Sequence, residues 1–334
     1  MSQPILAVTL GDPAGTGPEL ITRALTQSAI RSVCRPVVVG DAAVLTAALA
    51  LTGVAATVRR VTDLRTLTED PAVIDVVDLA NVDLPRLERG RVSAAAGQAS
   101  YTSVRRAVEL VLAGDAHAVV TSAINKAAWH AAGIAYAGHT ELLAELCGQP
   151  PVTMMLVADR LRVCHVSTHV SLAQAIARVR PERILQVIEL AHAGLRQLGI
   201  EDPHLAVAGL NPHAGEGGLF GPEEIEFIAP AIATAQQRGF RVSGPYAGDT
   251  VFVRAAQGEF DGAIAMYHDQ GHIAAKMLGI WQGVNVTLGL PLVRTSVEHG
   301  TDFAHAGRGT GDPRSLLCAL QLAATMVGPR RTSG

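Results

Sequence analysis

The stretch "AMYHDQGHIAAK", residues 265–276, sets His268, Asp269, Gln270, His272 and Lys276 directly behind an apolar run. Imidazole, carboxylate and amine this close together can hold a cation, orient a substrate and move a proton. The arrangement recurs elsewhere in the chain. His169 follows "LRVCHVST" and His213 follows "HLAVAGLNP", so three histidines each stand at the carboxyl end of an apolar, strand-like segment. In open parallel sheets ligands bind at that edge, because the loops converge there over rigid strands. Three neutral imidazoles delivered to one edge can hold a divalent metal and leave positions open for substrate. A histidine in such a loop also serves as a plain hydrogen-bonded residue, and the long spacing leaves both readings standing.

Other segments add groups of a different kind. "GLNPHAGEGGLFGPEE" surrounds His213 with Asn211, Pro212, Gly215, Gly217, Gly218 and Gly221 ahead of a helix expected to open at Pro222. So many glycines around one histidine and one glutamate cost backbone entropy, which points to a purpose. "AGHTELLAEL" places His139 and Thr140 at a helix start, where free N–H groups and the dipole favour an anion, although Thr140 also suits a simple N-cap. Lys276, Asn285 and Arg294 ("PLVRTS") are further anion ligands, so a small phosphorylated or carboxylated molecule is the expected partner. Of 27 basic residues only Lys126 and Lys276 are lysines, a bias that keeps the compact ammonium for two positions. "EHGTDFAHAGRGTGDP" gathers His299, Gly300, Thr301, Gly307, Gly309, Gly311 and Asp312 into one loop. The first strand leads into "GDPAGTGPEL", which breaks the Rossmann fingerprint with Pro18 and Glu19; its Asp12 and Glu19 either line the site or turn the chain.

Apolar runs at 5–10, 36–40, 118–122, 161–168, 204–210, 262–267 and 283–289 read as buried strands. Between them, "GQASYTSVRRAVELVLAG" and "RPERILQVIELAHAGLRQLGI" repeat apolar residues at helical spacing and end on Gly. Such alternation predicts an α/β protein with largely parallel sheets. With 334 residues two domains are expected. The net charge of -3 gives no footprint for nucleic acid or an acidic membrane. The uncharged stretch 42–58 reads as helix then strand, not as a membrane span. Cys34, Cys147, Cys164 and Cys318 form no CxxC pair and suggest a reducing compartment. The start carries no basic and apolar leader, so a cytoplasmic protein without signal peptide is expected. The last residues, "GPRRTSG", read as a frayed tail.

Together "GDPAGTGPEL", "AGHTELLAE", "HVSTHVSL", "GLNPHAGEGG", "GDTVF", "AMYHDQGHIAAK" and "GVNVTLGLPLVRTSVEHGT" resemble the 4-hydroxythreonine-4-phosphate dehydrogenase family over nearly the whole chain. The resemblance implies an isocitrate/isopropylmalate-dehydrogenase-like fold of two α/β/α domains around a central cleft. Residues 1–130 with 285–334 would form the cofactor-side domain, and 131–284 the metal, substrate and dimerisation domain. It implies a homodimer with shared active sites, NAD or NADP, and one divalent metal per site (Zn, Co, Mg or Mn). By the same resemblance His169, His213 and His268 are metal ligands. His139, Thr140, Lys276, Asn285 and Arg294 bind substrate, and Lys276 and Asp249 are catalytic. His299, Gly300, Thr301, Gly307 and Asp312 hold the cofactor. The implied reaction oxidises the C3 hydroxyl of a 4-phosphorylated four-carbon hydroxy acid, with decarboxylation following, in pyridoxal 5'-phosphate biosynthesis. "EHGTD" stands where the family usually has Asp-His-Gly-Thr-Ala, and His305 replaces an apolar residue. His272 stands where the vitamin B6 enzymes carry Leu and is similar to a sister branch acting on 4-phospho-D-threonate or 4-phospho-D-erythronate. A metal-dependent aldolase is a rival reading, since imidazoles beside a phosphate site also suit enolate chemistry.

Overall fold

The computed structural model describes residues 3–279 and 283–328, so the tail from residue 329 lies outside the described residues. Twelve strands occur among them: β1 (Ile5–Thr9), β2 (Arg35–Gly40), β3 (Thr57–Arg60), β4 (Val73–Asp78), β5 (Ala118–Thr121), β6 (Thr153–Ala158), β7 (Leu161–His165), β8 (Leu205–Ala208), β9 (Val242–Tyr246), β10 (Gly262–Ala265), β11 (Val284–Leu288) and β12 (Val293–Val297). The chain divides into two compact units, Met1–Pro150 with Leu290–Gly334, and Pro151–Gly289. The fold is mixed α/β.

In the first unit the strands run β3-β4-β2-β1-β5-β12, with every neighbouring pair parallel. β1 and β5 are buried along their whole length, as near-continuous apolar strands covered on both faces must be. The second unit is ordered β11-β6-β7-β10-β8-β9, and only β7–β10, β10–β8 and β8–β9 are parallel. β6–β7 and β11–β6 are antiparallel. The reason is local. Ala158 pairs with Leu161 across just Asp159 and Arg160, and Asp159 takes the left-handed conformation (φ 51°) that a two-residue hairpin needs.

Helices form where capping and spacing agree. Pro181–Gln197 opens on proline and buries Ile184, Val187, Ile188, Ala191 and Leu195, one stripe at three-to-four-residue spacing. Asp41 caps Ala42–Thr52 by accepting the N–H groups of Ala43 and Val44, and β3 follows, so residues 42–58 are helix then strand. No described helix is long and apolar enough to cross a membrane. Near Pro222 the chain first makes a π-helical turn, Glu224–Ile228, before α geometry sets in over Ala229–Gln237. From the sequence the domain border falls after residue 130. Helix His139–Leu146 nevertheless belongs to the first unit, because Leu142 and Leu143 share its core with Trp129.

Candidate active site

In the second unit β7 ends on His165, and β10 leads through Tyr267 into helix His268–Leu278. His268 and His272 lie one turn apart on that helix, their rings stacked with centroids 3.7 Å apart and planes within 12°. His169 brings its ring to 5.6 Å from that of His268. Two imidazoles bound to one cation at about 2.1 Å have centroids roughly 5–6 Å apart, so this pair matches a shared ion. Asp269 Oδ1 lies 2.6 Å from His268 Nδ1. A carboxylate only accepts, so Nδ1–H is the donor and the lone pair is left on Nε2, the atom a metal would take. Hydrogen bonding to His268 holds the Asp269 carboxyl below its usual range.

Behind that pair lies a residue the sequence reading passed over. His165 is fully buried, with Nδ1 3.3 Å from the Met154 carbonyl and Nε2 3.1 Å from His272 Nδ1. His272 Nδ1 also sits 3.2 Å from the His268 carbonyl. Carbonyls only accept, so both Nδ1 atoms carry hydrogen and His165 Nε2 accepts from His272. Burial pushes the two imidazoles down to about 3 and about 4, which keeps them neutral. Parallel rings cannot both aim in-plane lone pairs at one cation, so His272 backs His268 and does not join it. Only glycine allows the approach: a Cβ on Gly271 would lie 2.5 Å from His165 Nε2. The signal for His165 was present in the alternation Leu161, Val163, His165, one buried face of β7.

His213 arrives on the loop after β8. From His213 to Gly217 five successive residues have φ between 44° and 80°. For residues with a side chain this costs on the order of 1–2 kcal/mol each, so the loop must be held. Glu224, 3% exposed, holds it: Oε1 accepts the N–H of Leu210 at 2.8 Å and of Asn211 at 2.7 Å, and Oε2 accepts Asn211 Nδ2 at 2.9 Å. Gln270 joins loop and helix, donating to the Gly209 carbonyl and accepting from Met266 N–H, both at 2.7 Å. His213, Asn211, Asp249, Tyr267, Asp269 and Gln270 line a cavity of about 550 Å³. His169, His268, Thr168, Ser171, Tyr267 and Asp269 line a second of about 610 Å³. Tyr267 and Asp269 wall both. His169 and His268 are thus brought together, while His213 stands with exposed Asp249 in the adjoining cavity. Among the described residues no three His, Cys, Asp or Glu side chains are grouped closely enough to hold a metal ion. Lys276 is exposed on the histidine helix, where its charge is felt by Asp269 and His272. Asn285 on β11 has a buried Oδ1 with no hydrogen-bond partner among the described residues.

The first unit carries a site of the opposite character. Arg294 on β12 is 2% exposed and donates through Nε (3.2 Å) and Nη2 (2.7 Å) to Thr121 Oγ1. Burial lowers its guanidinium to about 10, with Glu298 and Glu141 opposing. His139 opens helix His139–Leu146 with its ring edge-on to Trp129, centroids 5.9 Å apart. Its Nε2 is out of solvent and without a partner among the described residues. Burial, and then the charges of Arg294 and Lys126, hold this imidazole well below its ordinary value. Thr140 follows at the same helix start, where no side chain caps the N–H groups. A neutral imidazole, a desolvated guanidinium and free helix amides are groups that can accept an anion. The segment holding His299, Gly300, Thr301, Gly307 and Asp312 lies in this unit too. His299 Nδ1 donates to the Gly300 carbonyl at 2.8 Å, and its Nε2 is buried and unpartnered among the described residues.

Comparison with known proteins gives one answer. The family model for the pyridoxal phosphate biosynthetic protein PdxA matches residues 32–323. A 4-hydroxythreonine-4-phosphate dehydrogenase of Beijerinckia indica is 48% identical, covering 97% of this chain and 95% of the relative. A D-threonate 4-phosphate dehydrogenase of Cupriavidus necator is 45% identical over 98% of each chain. The crystal structure of a 4-hydroxythreonine-4-phosphate dehydrogenase from Klebsiella pneumoniae superposes with a TM-score of 0.90 at 43% identity, covering 98% of this chain and all of that one. The chain belongs to the PdxA family.

Proposed function

We propose that this protein is an NAD(P)- and divalent-metal-dependent dehydrogenase that oxidises the C3 hydroxyl of a 4-phosphorylated four-carbon hydroxy acid, with decarboxylation following. One observation carries the reading: His268, fixed by Asp269 through Nδ1, has its ring centroid 5.6 Å from that of His169, a spacing that suits one shared cation. The full-length likeness to named dehydrogenases supports an oxidoreductase acting on CH–OH over the aldolase reading.

His169, His213 and His268 would hold the cation, and imidazole donors suit zinc or cobalt, with magnesium or manganese as alternatives. When bound, the cation supplies a counter-charge for the ionised substrate alcohol, and the nicotinamide supplies the hydride acceptor. The protein's own residues do the rest. Arg294, His139 and the helix start at Thr140 clamp the phosphate. Asn285 offers its unpartnered amide oxygen to a substrate donor. Lys276 takes or relays the alcohol proton, and Asp249 lines the cavity that His213 lines. The loop of His299, Gly300, Thr301, Gly307 and Asp312 holds the nicotinamide cofactor. An isocitrate/isopropylmalate-dehydrogenase-like pair of domains and a homodimer with shared sites belong to the same proposal.

The substrate is 4-hydroxythreonine 4-phosphate or its 2-hydroxy counterpart, 4-phospho-D-threonate or 4-phospho-D-erythronate. The second reading is favoured by His272, which is buried against His165 and His268, and by relatives that bear a threonate name. Metal-loaded protein assayed side by side with the three acids, each with NAD and with NADP, decides between them. Nicotinamide reduction with one acid is the expected result. No reduction with any of them would end the proposal.

A further inference from the structure

Two motifs far apart in sequence are fastened together in the first unit. Glu19, in the third position of helix Gly17–Leu25, is 2% exposed, and no arginine or lysine pairs with it among the described residues. Its Oε1 accepts the N–H of Gly307 at 2.6 Å and its Oε2 the N–H of Gly309 at 2.7 Å. Arg23, one turn on, donates to the Gly309 carbonyl. Thr16 N–H donates to the Thr301 carbonyl at 3.0 Å. Gly309 has φ 65°, and a Cβ there would lie 2.3 Å from the Leu51 carbonyl, so the segment is pressed against its support at the point where Glu19 grips it.

A buried carboxylate pays a large desolvation cost, and here two backbone N–H groups and a helix N-terminus offset it. An apolar side chain in this place would fill the space but leave both N–H groups without this acceptor. What the carboxylate adds is a fixed shape for 300–312, because two amides two residues apart are held by one rigid fork. We propose that Glu19 is a positioning residue for cofactor binding: it sets the conformation in which the 299–312 segment receives the adenosine end of the nicotinamide cofactor. The inference rests on the reading of that segment as the cofactor loop.

The test uses full-length, metal-loaded protein. Glu19→Gln keeps the size but turns an N–H₂ toward an N–H donor. The expected result is a Kd and KM for NAD(P) raised at least about tenfold, with kcat at saturating cofactor and the KM of the phosphorylated substrate within about twofold. A merely structural residue would move all these quantities together with Tm. Should Glu19→Gln not fold, Arg23→Met carries the same expectation at about threefold, since it removes the donor to Gly309 and leaves the carboxylate. Amide exchange of wild-type protein with and without NAD(P) separates the two ways of failing. If cofactor does not slow exchange across 299–312, the cofactor-loop reading falls. If cofactor slows it, yet the variant binds NAD(P) as wild type does, Glu19 has no positioning role.

Discussion

The imidazole cluster of the second unit and the Arg294–His139 group of the first are built on opposite plans. Arg294 stands on β12, which pairs in parallel with the buried strand β5, and the charged group is itself buried against Thr121. Around His169, His213 and His268 the donors sit half-buried or exposed on loops and a helix start. Their precision comes from polar anchors: Asp269 beside His268, and Gln270, Glu224 and the His165–His272 pair behind them. A fixed anionic group can be met by a desolvated charge on a rigid strand. A cation shared by three distant segments needs ligands that can close on it, so strained loops with strong anchors suit it better.

The hardest blow to the comparison falls on the loop-borne plan. His213→Ala should remove metal content and turnover together, the latter by at least about a thousandfold. Binding of inorganic phosphate to the first unit should be unchanged. Metal analysis and phosphate protection against heat check both halves. Normal oxidation by the metal-stripped variant would sink the three-histidine assignment.

Acid should separate the two units next. In the second, His165 has a folded value near 3 against an ordinary 6.5, so the unfolded chain takes the proton first. Its contribution is present above 6.5 and is lost as pH falls from there to about 3, by on the order of 5 kcal/mol. In the first, burial lifts the Asp12 carboxyl from 3.8 to about 6, with only the Ala14 N–H opposing and Oδ2 unpartnered among the described residues. Here the folded state takes the proton first, so stability falls as pH rises from about 4 to 6, by about 3 kcal/mol. Urea titrations from pH 4 to 7 should therefore show Asp12→Asn gaining on wild type as pH rises. The gap between His165→Phe and wild type should narrow as pH falls. Parallel pH profiles for either variant and wild type would refute the shift.

Much of this was legible beforehand, for a physical reason. Strand–helix alternation and the chemistry-bearing segments are local properties, and short apolar runs such as "ILAVT" bounded by turn residues read as buried strands. The antiparallel β6–β7 pair was not legible, because "ADRL" lacks the Asn-Gly or Asp-Gly signature of a tight hairpin. The place of helix His139–Leu146 depends on Leu142 and Leu143 meeting Trp129, a tertiary fact. Glu19 and Glu224 were visible only as acids in glycine-rich loops. Their role lies in which backbone N–H groups they accept, and sequence does not reveal that.

The rigid plan predicts its own kind of sensitivity. Arg294→Lys keeps the charge but loses the planar fork that meets Thr121 from two nitrogens. KM for the phosphorylated substrate should rise about thirtyfold, roughly 2 kcal/mol, with metal content intact. A change in metal affinity there would mean that the two regions are coupled and the contrast between them is overdrawn.

The smallest effect sharpens the contrast from inside the histidine cluster. A methyl group on Gly271 would press on His165 Nε2 at 2.5 Å and Val163 Cγ1 at 2.6 Å. Overpacking of this kind costs about 1–2 kcal/mol. The strain acts through His165, so Gly271→Ala should be less destabilising in a His165→Ala background, with a coupling of about 1 kcal/mol in a double-mutant cycle. Additive losses would mean that the helix yields without troubling His165, and His272 would then hold its place against His268 by helix geometry alone.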